Sequence, residues 1–113
     1  MESGSAWLPF WLDRLDEHQE LHGAVDAPFL TAAPSEYFKR QCFITCDAGE
    51  ELVWVVVEEV GEDVAMFSSD YPHGETKFPR SVETFLGLPK LSSSARRKLL
   101  WDNAARFYNL KGA

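Results

Sequence analysis

The chain has 113 residues, enough for one small domain, and 45% of them are hydrophobic. Its formal net charge is −7 at pH 7. An acidic chain without large basic clusters binds nucleic acids and anionic membranes poorly, so neither is an expected partner. No apolar run approaches the roughly 18 residues that a membrane-spanning helix needs.

Four elements are predicted in the first half of the chain. Apolar residues at helical spacing predict a helix over Trp7–Glu20, and a loop follows over Gly23–Ala33. Pro34–Lys39 is typical of one or two helical turns, because proline is tolerated at a helix start. Three consecutive apolar residues within Gln41–Thr45 predict a short strand.

A helix is predicted after this strand. Asp47 resembles an N-cap, and Glu50 would complete a capping box three residues later. The helix would run to Val60 and stop at Gly61. Four valines share one of its faces, which favours helix over strand: Val53, Val56, Val57 and Val60.

The second half continues the alternation of strands and helices. Val64–Ser68 is predicted to be a strand buried on both faces, as in parallel sheets. A helix should open at Pro79 or Ser81 and end near Gly87. Ser92 should cap a last helix through Asn103 or beyond. Its apolar stripe is Leu99, Leu100, Ala104 and Phe107.

The order strand–helix–strand–helix predicts a parallel βαβ unit in an α/β fold. Two buried parallel strands do not make a stable sheet alone. The chain, residues 1–113, is therefore predicted to be a single incomplete domain that needs further chain or a partner.

The segment Ser68-Ser-Asp-Tyr-Pro-His73 lies where ligands bind in parallel α/β folds, at the carboxyl end of a strand. Asp70 could bind a cation or take a proton from a bound water, or it could simply form a turn into Pro72. His73 could be a ligand, a proton donor or an exposed loop residue.

Other polar residues allow competing interpretations. Arg14 could recognise a substrate carboxylate or form surface ion pairs with its acidic neighbours. His18 and His22 have a metal-binding spacing, but the glutamate between them is not where a metalloprotease needs it. Trp7 and His73 are kept as candidate substrate contacts.

The two cysteines, Cys42 and Cys46, would lie about 13 Å apart along a strand, at roughly 3.3 Å per residue. A disulfide cannot span that distance, so reduced cysteines and a cytoplasmic location are expected. Cys46 lies at the carboxyl end of the first predicted strand, where a ligand could bind. The sequence places no histidine beside it to act as the base that a nucleophilic cysteine needs.

Three segments together resemble the end of an amidohydrolase-related (amidohydrolase family 2) domain, a group that includes aminocarboxymuconate-semialdehyde decarboxylase-like enzymes. They are Glu2–Asp16, the Ser-Ser-Asp-Tyr-Pro-His segment with Phe78-Pro79, and Arg97–Leu110. The resemblance implies a partial metal-dependent (β/α)₈ barrel, covering the last two βα units and the terminal helices. The two predicted strands would be strands seven and eight of that barrel.

The resemblance also implies residue roles. Asp70 would be the strand-eight aspartate, a ligand of a divalent metal such as zinc and the acceptor of a proton. Arg14 matches an arginine that reaches the substrate carboxylate in decarboxylase relatives, often across a dimer interface. Glu2 falls roughly where some relatives carry a catalytic histidine. The family's His-x-His pair and strand-five histidine are absent from this sequence.

Three functions therefore remain open. The chain could be the C-terminal part of a metal-dependent hydrolase or decarboxylase for a small carboxylated or cyclic compound, and be inactive alone. It could be a non-catalytic remnant or docking subunit, completed by a companion chain or a homo-oligomer. It could also be an independent small α/β binding module.

Overall fold

The computed structural model describes residues 3–110, so Glu2 lies outside the described residues. The helices and strands follow in this order: α1 (Leu8–Asp26), α2 (Pro34–Gln41), β1 (Ile44–Asp47), α3 (Val53–Glu59), β2 (Ala65–Ser68), α4 (Ser81–Leu86), α5 (Ser93–Arg97), a π-helical turn (Lys98–Asp102) and α6 (Asn103–Phe107). Among these residues, no helix combines the length and apolar character that crossing a bilayer requires.

The predicted βαβ unit is confirmed. β1 and β2 pair in parallel, with Ile44 opposite Ala65 and Asp47 opposite Ser68. Parallel pairing puts the carboxyl ends of both strands at the same edge of the sheet. The loops that follow β1 and β2 therefore start side by side.

One face of the sheet packs on the helices. Cys46 and Ala65 are fully buried on that face, and the ring of Phe67 meets that of Phe85 edge-on, with centroids 5.4 Å apart. The predicted valine face of α3 is buried too, at Val53, Val56 and Val60. Burying these branched side chains is the main source of stability for a short parallel sheet.

The prediction that β2 is buried on both faces is confirmed at Ala65 and Met66, whereas the second face of the sheet is open at β1. Thr45 and Asp47 alternate with the buried Cys46, and both are exposed. Met66 and Ser68 are paired with them and line the same cavity. In a complete barrel this face would point towards the interior.

Four predicted boundaries in the first half of the chain were wrong. α1 continues through Gly23 to Asp26, because a helix tolerates an internal glycine at a cost of about 1 kcal/mol. α2 reaches Gln41, so β1 begins three residues later than predicted. Asp47 does not cap a helix, because it ends β1 opposite Ser68. α3 then begins at Val53 after a turn.

Other predicted boundaries are confirmed. Gly61 follows α3 with a φ of +123°, a conformation that favours glycine. α4 spans Ser81–Leu86, directly before Gly87. The Ser92 hydroxyl caps α5 by accepting a hydrogen bond from the Ala95 N–H (3.0 Å).

A π-helical turn changes the buried stripe of the last helix. Such a turn holds one more residue than an α-helical turn. Beyond it, Asn103 and Ala105 are buried, whereas the predicted Phe107 is exposed. The Asn103 amide donates hydrogen bonds to the carbonyl oxygens of Glu62 (2.8 Å) and Ala65 (2.7 Å). Asn103 thereby ties the C-terminal helix to the start of β2.

We expect Asn103→Ala to destabilise the chain. The substitution leaves two carbonyl oxygens without their donor, at about 1–3 kcal/mol for each group that stays buried. Urea denaturation should report a lower free energy of unfolding. Gln41→Ala, at an exposed helix end, is the control and should change it by less than about 0.5 kcal/mol. Equal stability of the two variants would show that Asn103 does not hold β2.

Candidate functional site

Two neighbouring cavities open at the carboxyl ends of β1 and β2. Their volumes are about 360 Å³ and about 570 Å³. Both are lined by Asp47, Asp70 and Glu75, together with Ser3 and Gly4. The predicted ligand-binding edge of the sheet is therefore concave, and most of the charged groups that line it are carboxylates.

The backbone of Asp70 has an unusual conformation. Its φ is +56°, in the left-handed region that aspartate enters more readily than most residues. Its N–H donates a weak hydrogen bond to Ser68 Oγ (3.3 Å), and its carbonyl accepts one from the His73 N–H (3.0 Å). Asp70 is thus both in a turn, as the simpler interpretation predicts, and at the site.

Asp70 and His73 come together with a third residue, Glu75. One ligand atom of each side chain lies within 4.8 Å of those of the other two. Asp70 is half-buried, and the other two are exposed. Imidazole and carboxylate are donors that first-row divalent metals accept, so the residues present fit such an ion. The sequence did single out His73, but Glu75 was missed.

Asp47 is a further carboxylate that the sequence interpretation missed. It was predicted to be a helix cap, yet it ends β1 and lines both cavities. Partial desolvation raises the pKa of its carboxyl group above the ordinary value, and the negative charges of Glu50 and Asp70 raise it further. A predicted strand that ended at Asp47 instead of Thr45 would have put Asp47 at the same sheet edge as Asp70.

We expect Asp47→Asn to stabilise the chain at pH 7. A raised pKa in the folded state means that folding disfavours the ionised carboxylate, so stability falls as the pH rises from Asp47's ordinary pKa through its folded value. Asparagine removes that charge. The variant's Tm should exceed the parent's at pH 7, and the gain should shrink at pH 3. Asp13→Asn, on the exposed side of α1, is the control. An equal gain at both pH values would contradict this explanation.

Glu50 connects the N-terminal segment to the loop after β1. Its Oε1 accepts hydrogen bonds from the backbone N–H groups of Ser5 and Ala6 (both 2.7 Å) and from the Ser5 hydroxyl (2.9 Å). Its Oε2 accepts one from the Asp47 N–H (3.3 Å), which is the half of the predicted capping box that exists. One carboxylate therefore holds the start of α1 beside the strand ends.

The structure brings Trp7 to the site but not Arg14. Trp7 lines the larger cavity together with Asp70, and its indole N–H donates to the Gly4 carbonyl (2.9 Å). Arg14 lies on the exposed surface of α1 and forms an ion pair with Glu17. Within one chain Arg14 thus adopts the surface pairing that its acidic neighbours predict.

The remaining candidates lie outside the cavities. His18 and His22 form a tilted pair on α1 with ring centroids 5.1 Å apart, and His18 Nε2 contacts Asp26 Oδ2 at 2.9 Å. Both cysteines are free, as predicted. Burial raises the pKa of the Cys46 thiol to about 12, and the charges of Glu50 and Asp47 act in the same direction.

We expect the two cysteines to differ in alkylation. Cys42 is exposed, whereas the buried Cys46 stays a protonated, poorly nucleophilic thiol at neutral pH. Mass spectrometry after brief iodoacetamide treatment should find Cys42 modified and Cys46 intact, and both modified in denaturant. The Cys42→Ser variant should take up no label while folded. Rapid labelling of Cys46 in the folded chain would show that the packed face of the sheet is accessible to solvent.

Comparison with known families identifies the chain. The sequence profile of the amidohydrolase family 2 (described as "Amidohydrolase") matches residues 2–110. The chain belongs to this family. A comparison with curated proteins found no match.

Solved structures share the fold of this family member. A 5-carboxyvanillate decarboxylase from Sphingomonas paucimobilis is 29% identical, with a TM-score of 0.73, over 91% of this chain. An amidohydrolase from Mycobacterium avium subsp. paratuberculosis is 25% identical, with a TM-score of 0.73, over 94%. A dihydroxybenzoic acid decarboxylase from Polaromonas, solved with manganese and an inhibitor, is 21% identical, with a TM-score of 0.72, over 95%.

The chain spans less than a third of the length of these structural relatives, at 31%, 26% and 32% of their chains. Its α/β fold is that of a partial (β/α)₈ barrel, as predicted from the resemblance.

Proposed function

We propose that this amidohydrolase-family chain supplies the strand-eight side of a metal-dependent active centre. The reaction would be hydrolysis or decarboxylation of a small carboxylated or cyclic compound. The observation that carries the proposal is the position of Asp70: it follows the last strand of the barrel unit and lines the cavity at the strand ends. Family membership supports the same role.

Asp70 would have two tasks at this site. Its carboxylate would hold a divalent metal, and an oxygen of the same group would accept a proton from the reacting water or substrate. A bound metal supplies Lewis-acid polarisation or activation of a water molecule. We propose zinc as the ion, although the Polaromonas neighbour of the same fold holds manganese.

The substrate would be held by aromatic and basic groups around Asp70. Trp7 lines the same cavity and offers an apolar surface for a ring. Arg14 does not line this cavity and pairs with Glu17 within one chain, so we propose that it reaches a substrate carboxylate only in a neighbouring subunit of a homo-oligomer. His73 would contact the substrate if it is not itself a metal ligand.

A second candidate is a subunit without activity of its own that docks on a companion chain. The open side of β1 favours it: Thr45 and Asp47 are exposed where side chains from the other strands would fill a barrel interior. Both outer edges of the two-stranded sheet are also unpaired within residues 3–110. Such edges are templates for further strands, from this chain's own extension or from another molecule.

We expect the 113-residue chain alone to show no metal-dependent turnover. The family's His-x-His pair and strand-five histidine are absent from it. The test is to extend the reading frame upstream of the Met1 codon and to express the long and short chains. Each is then assayed on aromatic carboxylates with zinc or manganese, by following carbon dioxide release and hydrolysis products.

Turnover by a longer chain that carries these histidines, lost in Asp70→Asn and kept in Asp26→Asn, would support the first function. Asp26 is a suitable control because it lies at the end of α1 and does not line the two cavities. Turnover by the short chain that depends on Asp70 would overturn the predicted inactivity. A stop codon directly upstream would favour the docking subunit.

A further inference from the structure

The loop from Asp70 to Glu75 carries three metal-binding side chains within one short stretch of chain. We propose that Asp70, His73 and Glu75 form a metal site of their own, which binds one Zn²⁺-like divalent ion without ligands from the rest of a barrel. The inference shares Asp70 with the proposed function but requires no turnover.

The separation of the three side chains suits a common ion. Their ligand atoms already lie within 4.8 Å of one another. Ligands that bind zinc tetrahedrally at about 2.0–2.2 Å stand about 3.5 Å apart. The side chains must therefore converge by roughly 1 Å. His73 and Glu75 are exposed, so rotation about their side-chain bonds meets little packing resistance.

The donor types select the class of metal. One imidazole nitrogen with two carboxylates suits zinc, cobalt or manganese. Calcium and magnesium prefer oxygen ligands alone, so the imidazole adds nothing to their binding. Three protein ligands also leave a position for water, as in zinc sites that perform catalysis.

Local hydrogen bonds hold the loop in a closed shape. The His73 N–H donates to the Asp70 carbonyl (3.0 Å), and the Thr76 N–H donates to the His73 carbonyl (3.2 Å). The Thr76 hydroxyl donates to the Ser69 carbonyl. The rings of Tyr71 and Phe78 contact each other at a tilt of 51°, with centroids 4.6 Å apart. The three ligands are thus held near one another before any ion binds, which lowers the entropy lost on binding.

The electrostatic surroundings also favour a cation. Asp47 and Glu50 line the smaller cavity beside Asp70 and Glu75, so four carboxylates face a space that has Lys77 as its basic lining residue. Carboxylates that line one space repel one another. A divalent ion at Asp70 would relieve this repulsion between like charges.

The experiment is a titration of the full, tag-free chain after chelator treatment, with Zn²⁺ by calorimetry and with Co²⁺ by visible absorption. We expect one ion per chain and no comparable binding of Mg²⁺ or Ca²⁺. His73→Ala and Glu75→Gln should each weaken Zn²⁺ binding by more than about tenfold, since even the loss of an outer-shell partner costs about 10–100-fold. Circular dichroism should confirm that these exposed substitutions leave the fold intact.

The control is His22→Ala, which removes one member of the tilted histidine pair on α1. It should leave the affinity unchanged. The proposal is overturned if no ion binds, if His22→Ala abolishes binding, or if His73→Ala and Glu75→Gln bind as tightly as the parent. Binding lost only in Asp70→Asn would also overturn it, while leaving the proposed catalytic role of Asp70 in place.

Discussion

The parallel pairing of β1 and β2 is the constraint on which the rest of the chain depends. Both strands run in the same direction, so α3 must carry the chain back across the sheet between them. The buried valines of α3 belong to the same core as Cys46 and Ala65, whereas Thr45 and Asp47 on the other face of β1 are exposed. The two loops that follow the strands meet at one edge, and the candidate chemistry lies there.

Glu50 adds the N-terminal segment to this edge. By accepting hydrogen bonds from Ser5 and Ala6 while also binding the Asp47 N–H, it joins parts of the chain more than 40 residues apart. The same carboxylate adds negative charge beside Asp47. The Glu50 side chain therefore both connects these segments and contributes to the negative charge of the site. A substitution at Glu50 would affect both.

Much of the fold could be predicted from the sequence because its signals are local. The apolar runs, Gly61 and the Ser92 cap each determine nearby backbone, and the structure confirms them. The start of β1 and the role of Asp47 could not be predicted in this way, because pairing with β2 outweighs local capping preference. Within the candidate site, Asp70 could be predicted as a site residue because it comes directly after a strand. The proximity of Glu75 depends on loop folding that no spacing rule describes.

Because of the π-helical turn at Lys98–Asp102, the position of Asn103 depends on the exact number of residues in the last helix. Each residue of an α-helix turns the chain by about 100°. Deleting one residue inside this turn would restore regular helix and rotate everything beyond it by about that angle. Asn103 would then leave the carbonyl oxygens that it binds. Functional relatives should therefore tolerate substitutions in this segment more readily than insertions or deletions.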